Sequence, residues 1–190
     1  EESRHGFQYQ SCYCEENVYL MGKEMANHRP IDEFHVIFVS NSTRSVLLTN
    51  QLANENGTVC WDYHVILLHT NANSSLVYDL DSRLAFPVAA TEYIIESFPR
   101  QVRSELAPIF RLIPLSSYLS FFSSDRSHML SPLGSYLSPP PPWPPISSSE
   151  ALSSNEIDSF ISMNSLVLPR ISQILSLHQM LKFVTTGCYE

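Results

Sequence analysis

Residues 60–70 read CWDYHVILLHT and residues 74–81 read SSLVYDLD, with Asn71, Ala72 and Asn73 between them. Both stretches are rich in β-branched and aromatic residues. They are apolar at alternate and intervening positions, the pattern of strands covered on both faces. The polar segment between them suits a reversal of the chain, so the two read as an antiparallel pair at the centre of a sheet. With helical segments expected before and after the strands, the fold class is read as α/β with a mainly antiparallel sheet flanked by helices.

Upstream, residues 10–20 read QSCYCEENVYL. Cys14, Val18, Met21 and Met25 recur at helical spacing and mark the buried face of a helix running to about Asn27. Glu15 and Glu16 fall in its first turn, where acids suit the positive end of the helix dipole, and His28-Arg29-Pro30 closes it. Residues 34–39 (FHVIFV) and 45–49 (SVLLT) read as a hairpin around a polar turn at 40–44, giving four strands in all. Beyond Pro87 the pattern turns helical at 90–98 and 116–129, with a short apolar run at 110–113, and a last helix is expected over 170–184. Residues 131–149, which end in SPPPPWPPISSS, cannot form a helix or a central strand because proline lacks the amide hydrogen. They read as a surface loop in extended polyproline form. No internal repeat interrupts this order, and the whole of residues 1–190 is expected to form a single domain.

The chain carries 19 acidic against 11 basic residues, a net charge of −8, with the basic residues scattered singly. Such a balance offers no field for phosphate backbones, so nucleic acid is not an expected partner. No stretch approaches the roughly 20 apolar residues of a membrane span, and residues 1–5 (EESRH) do not resemble a signal-peptide start. An intracellular monomer is the expectation, although a chain that begins with Glu leaves any preceding segment unjudged.

Four cysteines, Cys12, Cys14, Cys60 and Cys188, are too few for a disulfide framework in a chain of 190 residues. Cys12 and Cys14 lack the second ligand pair of a zinc site, and a redox pair has two intervening residues rather than one. Nucleophilic catalysis fits better. It needs a thiol near a helix start, an imidazole to take its proton and a third group to hold the imidazole. Cys14 opens the helix on its buried stripe, whereas Cys12 precedes it and reads as a packing residue.

His64 lies within the apolar strand, where a lone histidine is ordinarily a packed core residue with one hydrogen bond. Asp79 changes that reading. If the turn is centred between Asn71 and Ala72, Asp79 stands directly opposite His64, with Cβ atoms about 4.5–5.5 Å apart on one face. A one-residue slip would turn it to the other face, and Asp81, two residues on, is the alternative acid. The remaining histidines, His69 and His128 among them, have no comparable acid partner in a strand.

The segments at 11–17, 61–65 (WDYHV), 78–81 (YDLD) and 124–129 (SDRSHM), with the proline run before Trp143, resemble the protein N-terminal glutamine amidohydrolase family, in family order from Ser11 to Met163. The resemblance implies a papain-like or transglutaminase-like sandwich. It implies an enzyme that converts N-terminal glutamine to glutamate with release of ammonia, acting on proteins or peptides with N-terminal Gln and feeding the N-degron pathway. It also implies a cytoplasmic protein, with the nucleus as a second compartment. The family's cysteine, histidine and aspartate correspond to Cys14, His64 and Asp79. A thioester mechanism on these three requires no metal or organic cofactor.

An acid is expected to pair with the substrate's α-ammonium; Glu15, Glu16, Asp62, Asp81 and Asp125 are the candidates, Glu16 first among them for its nearness to Cys14. Trp61 is a candidate pocket wall. The rivals to this reading are a transglutaminase-like or cysteine-protease-like thiol enzyme, or an inactive relative whose proline loop binds an aromatic groove.

Overall fold

The computed structural model describes residues 3–188; Glu1 and Glu2 of the stretch weighed as a leader, and both ends of the expected 1–190 span, lie outside it. In chain order the elements are α1 (Cys14–Met25), β1 (Phe34–Ser40), β2 (Val46–Leu48), β3 (Val59–Trp61), β4 (His64–Thr70), β5 (Ser75–Tyr78), β6 (Val88–Ala89), α2 (Ala90–Ser97), β7 (Ile109–Pro114), α3 (Leu115–Phe121), α4 (Ile157–Ile161), β8 (Gln173–Ser176) and α5 (Leu177–Thr186). Six strands form an antiparallel sheet in the order β6-β5-β4-β1-β7-β8, and β2 and β3 form a separate pair. The α/β class and the antiparallel sheet therefore stand. Among the described residues no helix is long and apolar enough to cross a membrane.

Alternation along the central strands builds two cores. Val36 and Phe38 of β1 and Val65 and Leu67 of β4 meet Val18, Met21 and Met25 of α1, with α3 and α4 on the same side. Ile37, Val39, Ile66 and Leu68 face the other way, toward Tyr93 of α2 and Met180 and Phe183 of α5. Helices thus cover both faces, as the uninterrupted apolar strands require. Each fully buried phenylalanine, such as Phe38, Phe122 or Phe160, contributes about 1.5–3 kcal/mol through area removed from water.

Several expectations are corrected. Residues 45–49 do not pair with β1, whose two edges are taken by β4 and β7; β2 pairs with β3 instead. Asn41 diverts the chain there: its side-chain oxygen accepts from the backbone of Thr43 and Ser45, and Arg44 takes a left-handed φ of 49°. The stretch 60–70 is two strands separated by a bend at Asp62-Tyr63. The apolar run at 110–113 is β7, a central strand whose six residues interrupt the region that reads as helical. The helix expected over 116–129 ends at Phe121, and the last one begins at Leu177 after β8, where Ser176 and Gln179 form a capping box.

Candidate active site

Cys14 is the first residue of α1 and only partly exposed. The loop that delivers it is held by Asn17, whose side chain accepts from the Gln10 amide and donates to the Gln10 carbonyl, both at 2.9 Å. Cys12 sits in that loop with a left-handed φ of 69°. It is exposed and lines the cleft, so it is not the packing residue the sequence suggested; its strained backbone turns it away from the core.

His64 opens β4 and is buried. Its Nε2 meets Asp79 Oδ1 at 3.0 Å. The route to this contact differs from the expected one. The β4–β5 ladder pairs Leu67 with Tyr78 and Leu68 with Val77, because the turn runs from Asn71 to Ser74, where the Asn71 amide bonds the Ser74 carbonyl at 3.0 Å. The register is therefore displaced by two residues, and Asp79 lies one residue beyond β5 rather than directly opposite His64. A two-residue displacement keeps side chains on the same face, so the pair survives it.

Asp79 is fully engaged. Oδ1 also accepts from the Asp81 amide at 2.9 Å, while Oδ2 accepts from Tyr93 Oη at 2.8 Å and Gln51 Nε2 at 3.3 Å. Burial alone raises the Asp79 carboxyl, but the charge and hydrogen bond of His64, with those donors, bring it below the usual carboxylate value. Burial likewise pulls the His64 imidazole down, and Asp79, with a further contribution from Asp81, outweighs it, so the net direction is upward. With Nε2 occupied by Asp79, Nδ1 is the ring nitrogen left to exchange a proton with the cleft.

The Cys14 thiol is pushed well above 9 by burial first, then by the negative charges of Glu15, Asp81 and Asp79, against one favourable backbone contact from Val65. Glu15 Oε2 lies 3.7 Å from Sγ and also accepts from Tyr63 Oη at 3.0 Å. Glu15 Oε1 lies 3.5 Å from His128 Nε2. His69, one of the histidines without an acid partner in a strand, meets Glu33 Oε2 at 2.7 Å from the turn that precedes β1.

Glu16 does not face the cleft. It is fully buried, and its two oxygens accept from Arg126 Nε and Nη2 at 2.8 Å each, with Trp143 Nε1 adding a bond at 2.7 Å. The carbonyls of Pro141 and Trp143 accept from the same guanidinium. The 131–149 segment is indeed free of helix and main-sheet strand, but through Arg126 it is tied to the start of α1, and Ile146 is buried.

Cys14, His64 and Trp61 line one cavity of ≈ 490 Å³, together with Tyr9, Cys12, Asp62, Tyr63, Asp81 and His128. That size suits a small side chain and the first units of a peptide. His64, Asp79 and Asp81 are a set whose ligand atoms all lie within 4.8 Å of one another, although His64 and Asp79 already satisfy each other. Gln51, Tyr93, Asn17 and Arg126 escaped sequence reasoning. Each acts through a partner distant in sequence or through a loop, and only Asn17 and Arg126 lay within recognisable motifs.

A sequence model of the N-terminal glutamine amidase family matches residues 9–184. The chain is similar to the protein N-terminal glutamine amidohydrolase of Drosophila ananassae, 43% identical over 151 residues that cover 76% of this chain and 74% of the relative. The human protein of that name is 38% identical over 162 residues, 82% of this chain and 78% of its own. The one from Caenorhabditis briggsae is 42% identical over 146 residues, 74% and 78% respectively.

Proposed function

Because the chain belongs to the N-terminal glutamine amidase family, we propose that it hydrolyses the side-chain amide of an N-terminal glutamine, with Cys14 as nucleophile, His64 as acid and base, and Asp79 as the group that holds His64. The observation that carries this reading is the buried His64–Asp79 pair beside a cleft that also contains a helix-initiating thiol.

In this mechanism Cys14 Sγ attacks the amide carbon while its proton passes to His64 Nδ1. The imidazolium then protonates the departing amide nitrogen, which leaves as ammonia, and a thioester remains. Water, deprotonated by His64, opens the thioester to give glutamate and regenerate the thiol. The direction of both titrations supports this sequence: a thiol held above 9 needs a base at the moment of attack, and Asp79 stabilises the imidazolium that results. The Cys14 amide belongs to the unpaired donors of the first helical turn and is suited to the oxyanion of each tetrahedral intermediate.

The order of nucleophile at a helix start, base at a strand start and acid just past the end of the following strand supports a papain-like or transglutaminase-like assignment of a single catalytic domain. In this reading the enzyme acts as a monomer in the cytoplasm and nucleus, needs no cofactor, and hands its N-terminal glutamate product to the N-degron pathway. Trp61 walls the cleft that receives the glutamine.

The test is mass spectrometry of a Gln-initiated peptide. The expected result is a gain of about 1 Da with release of ammonia, abolished in Cys14→Ala and retained in Cys60→Ala, which alters an exposed thiol on β3. Crosslinking of an internal glutamine, or cleavage of the peptide bond, without that mass change overturns the proposal.

A further inference from the structure

An enzyme that acts only on an N-terminal glutamine must sense the α-ammonium, since an internal glutamine presents the same side chain. The acids around the site differ in what already occupies them. Glu16 is consumed by Arg126 and Trp143. Glu15 is fully buried between Tyr63 and His128. Asp125 is held at about 2 by hydrogen bonds from Ser127, Ser154 and Asn155, and Asp158 is paired with Arg44 at 2.6 Å. Asp79 has four donors of its own.

Asp81 and Asp62 remain, both on the cavity wall. Asp62 is exposed, where pairing with a cation contributes little through water and salt. Asp81 is recessed and carries no ion pair among the described residues. Tyr9 Oη donates to its Oδ1 at 2.5 Å, its amide is fixed by Asp79 Oδ1, and its carbonyl accepts from the Leu52 amide at 2.7 Å. The carboxylate is thus rigidly presented with one oxygen committed to Tyr9. Burial, together with the charge of Asp79, holds its carboxyl above the usual value against the opposing charges of His64 and Arg4 and the hydrogen bond from Tyr9.

Distance supports the same choice. The α-nitrogen of glutamine is four bonds from the reacting carbon, about 5 Å when extended. Asp81 lines the same cavity as Cys14 and His64 and has an oxygen within 4.8 Å of a His64 ring nitrogen, which keeps it close to the reacting groups.

Resting on the activity proposed above, we infer that Asp81, steadied by Tyr9, is the carboxylate that binds the α-ammonium of the substrate and restricts the enzyme to N-terminal glutamine. The complementary charge needs no covalent step. An acetylated or internal glutamine brings no cation to Asp81 and leaves its recessed carboxylate unpaired.

The test compares Asp81→Asn, Tyr9→Phe and Asp62→Asn with the wild type on a Gln-initiated peptide, alongside alkylation of Cys14 by chloroacetamide. In Asp81→Asn, KM is expected to rise ten-fold or more while kcat changes by less than three-fold, and the bare alkylation rate does not fall, because loss of the Asp81 charge relieves part of the upward push on the Cys14 thiol. Protection of Cys14 by a Glu-initiated product peptide should be lost. Tyr9→Phe is expected to shift KM in the same direction by a smaller factor. Three results overturn the inference: an unchanged KM in Asp81→Asn, the same KM increase appearing in Asp62→Asn instead, or an equal fall in kcat and alkylation rate, which marks Asp81 as a second support of His64. Wild-type enzyme that leaves the Gln-initiated peptide untouched refutes the underlying activity instead, and is read separately from any variant.

Discussion

Glu16 and Arg126, 110 residues apart, meet in a two-pronged ion pair with 2.8 Å on each arm, both side chains buried. The pair joins the first turn of α1, and so the Cys14 amide and thiol, to the loop that carries Pro141 and Trp143. A carboxylate of this kind is stable only while its partner is present.

Arg126→Ala is therefore expected to destabilise the fold by roughly 3–5 kcal/mol, since Glu16 is left charged and buried. The double variant with Glu16→Ala should lose less than the sum of the two single losses. Urea midpoints of the three variants check this, and additive losses would show that the two groups act independently.

Asp79→Asn addresses the imidazole. Neutral His64 is the proton acceptor in the proposed attack, and Asp79 raises its pKa above 6.5. In the wild type kcat/KM should fall as pH drops through an inflection above 6.5. In Asp79→Asn that inflection moves to lower pH and the plateau falls by about 10²–10⁴, the usual worth of positioned acid–base catalysis. A pH–rate profile of each protein measures both.

The same pair links stability to pH. The raised His64 contributes stability that is present below 6.5 and lost as pH rises through its folded value; the lowered Asp79 contributes stability that is present above 3.8 and lost as pH falls through its folded value. The difference in urea midpoint between wild type and Asp79→Asn should accordingly be greatest between pH 3.8 and 6.5 and shrink on either side. A flat difference across pH would contradict the linkage.

Glu15→Gln tests the thiol. Burial is the largest cause of its high pKa and the Glu15 charge is the next. Removing that charge while keeping an acceptor for Tyr63 Oη should lower the inflection of the Cys14 alkylation rate against pH, with faster alkylation at pH 7. Circular dichroism of the variant verifies that the buried site keeps its fold.

Asn17→Ala removes both hydrogen bonds that clamp the Gln10 backbone. Loss of about 1–3 kcal/mol is expected from the unsatisfied groups, together with a fall in kcat, because the loop before Cys14 is no longer held. Proteolysis near Cys12 should quicken in the same variant, and resistance equal to wild type would argue that the clamp is dispensable.

Local patterns determined a good part of this protein. The 14, 18, 21, 25 spacing found α1 and its buried face, and continuous apolar runs found β1 and β4 and required helices on both sides of them. The alternation of strand side chains was enough to associate His64 with Asp79 even though the turn was placed one residue too early, because a shift of two in register restores the face. Other features lay beyond any local pattern. Whether residues 46–48 join β1 or β3 depends on which edges of β1 are already filled. The short apolar run at 110–113 has no assignment of its own until it pairs with β1 and β8 as β7. Glu15 and Glu16 are adjacent acids in one helical turn, indistinguishable by propensity or dipole, yet one lies beside the thiol and the other is neutralised by Arg126 from a distant loop. The sequence by itself determined which residues are apolar, how often they recur and hence which faces are buried; only the tertiary structure decided which charges meet, since an ion pair is a matter of distance in space and carries no periodic trace along the chain.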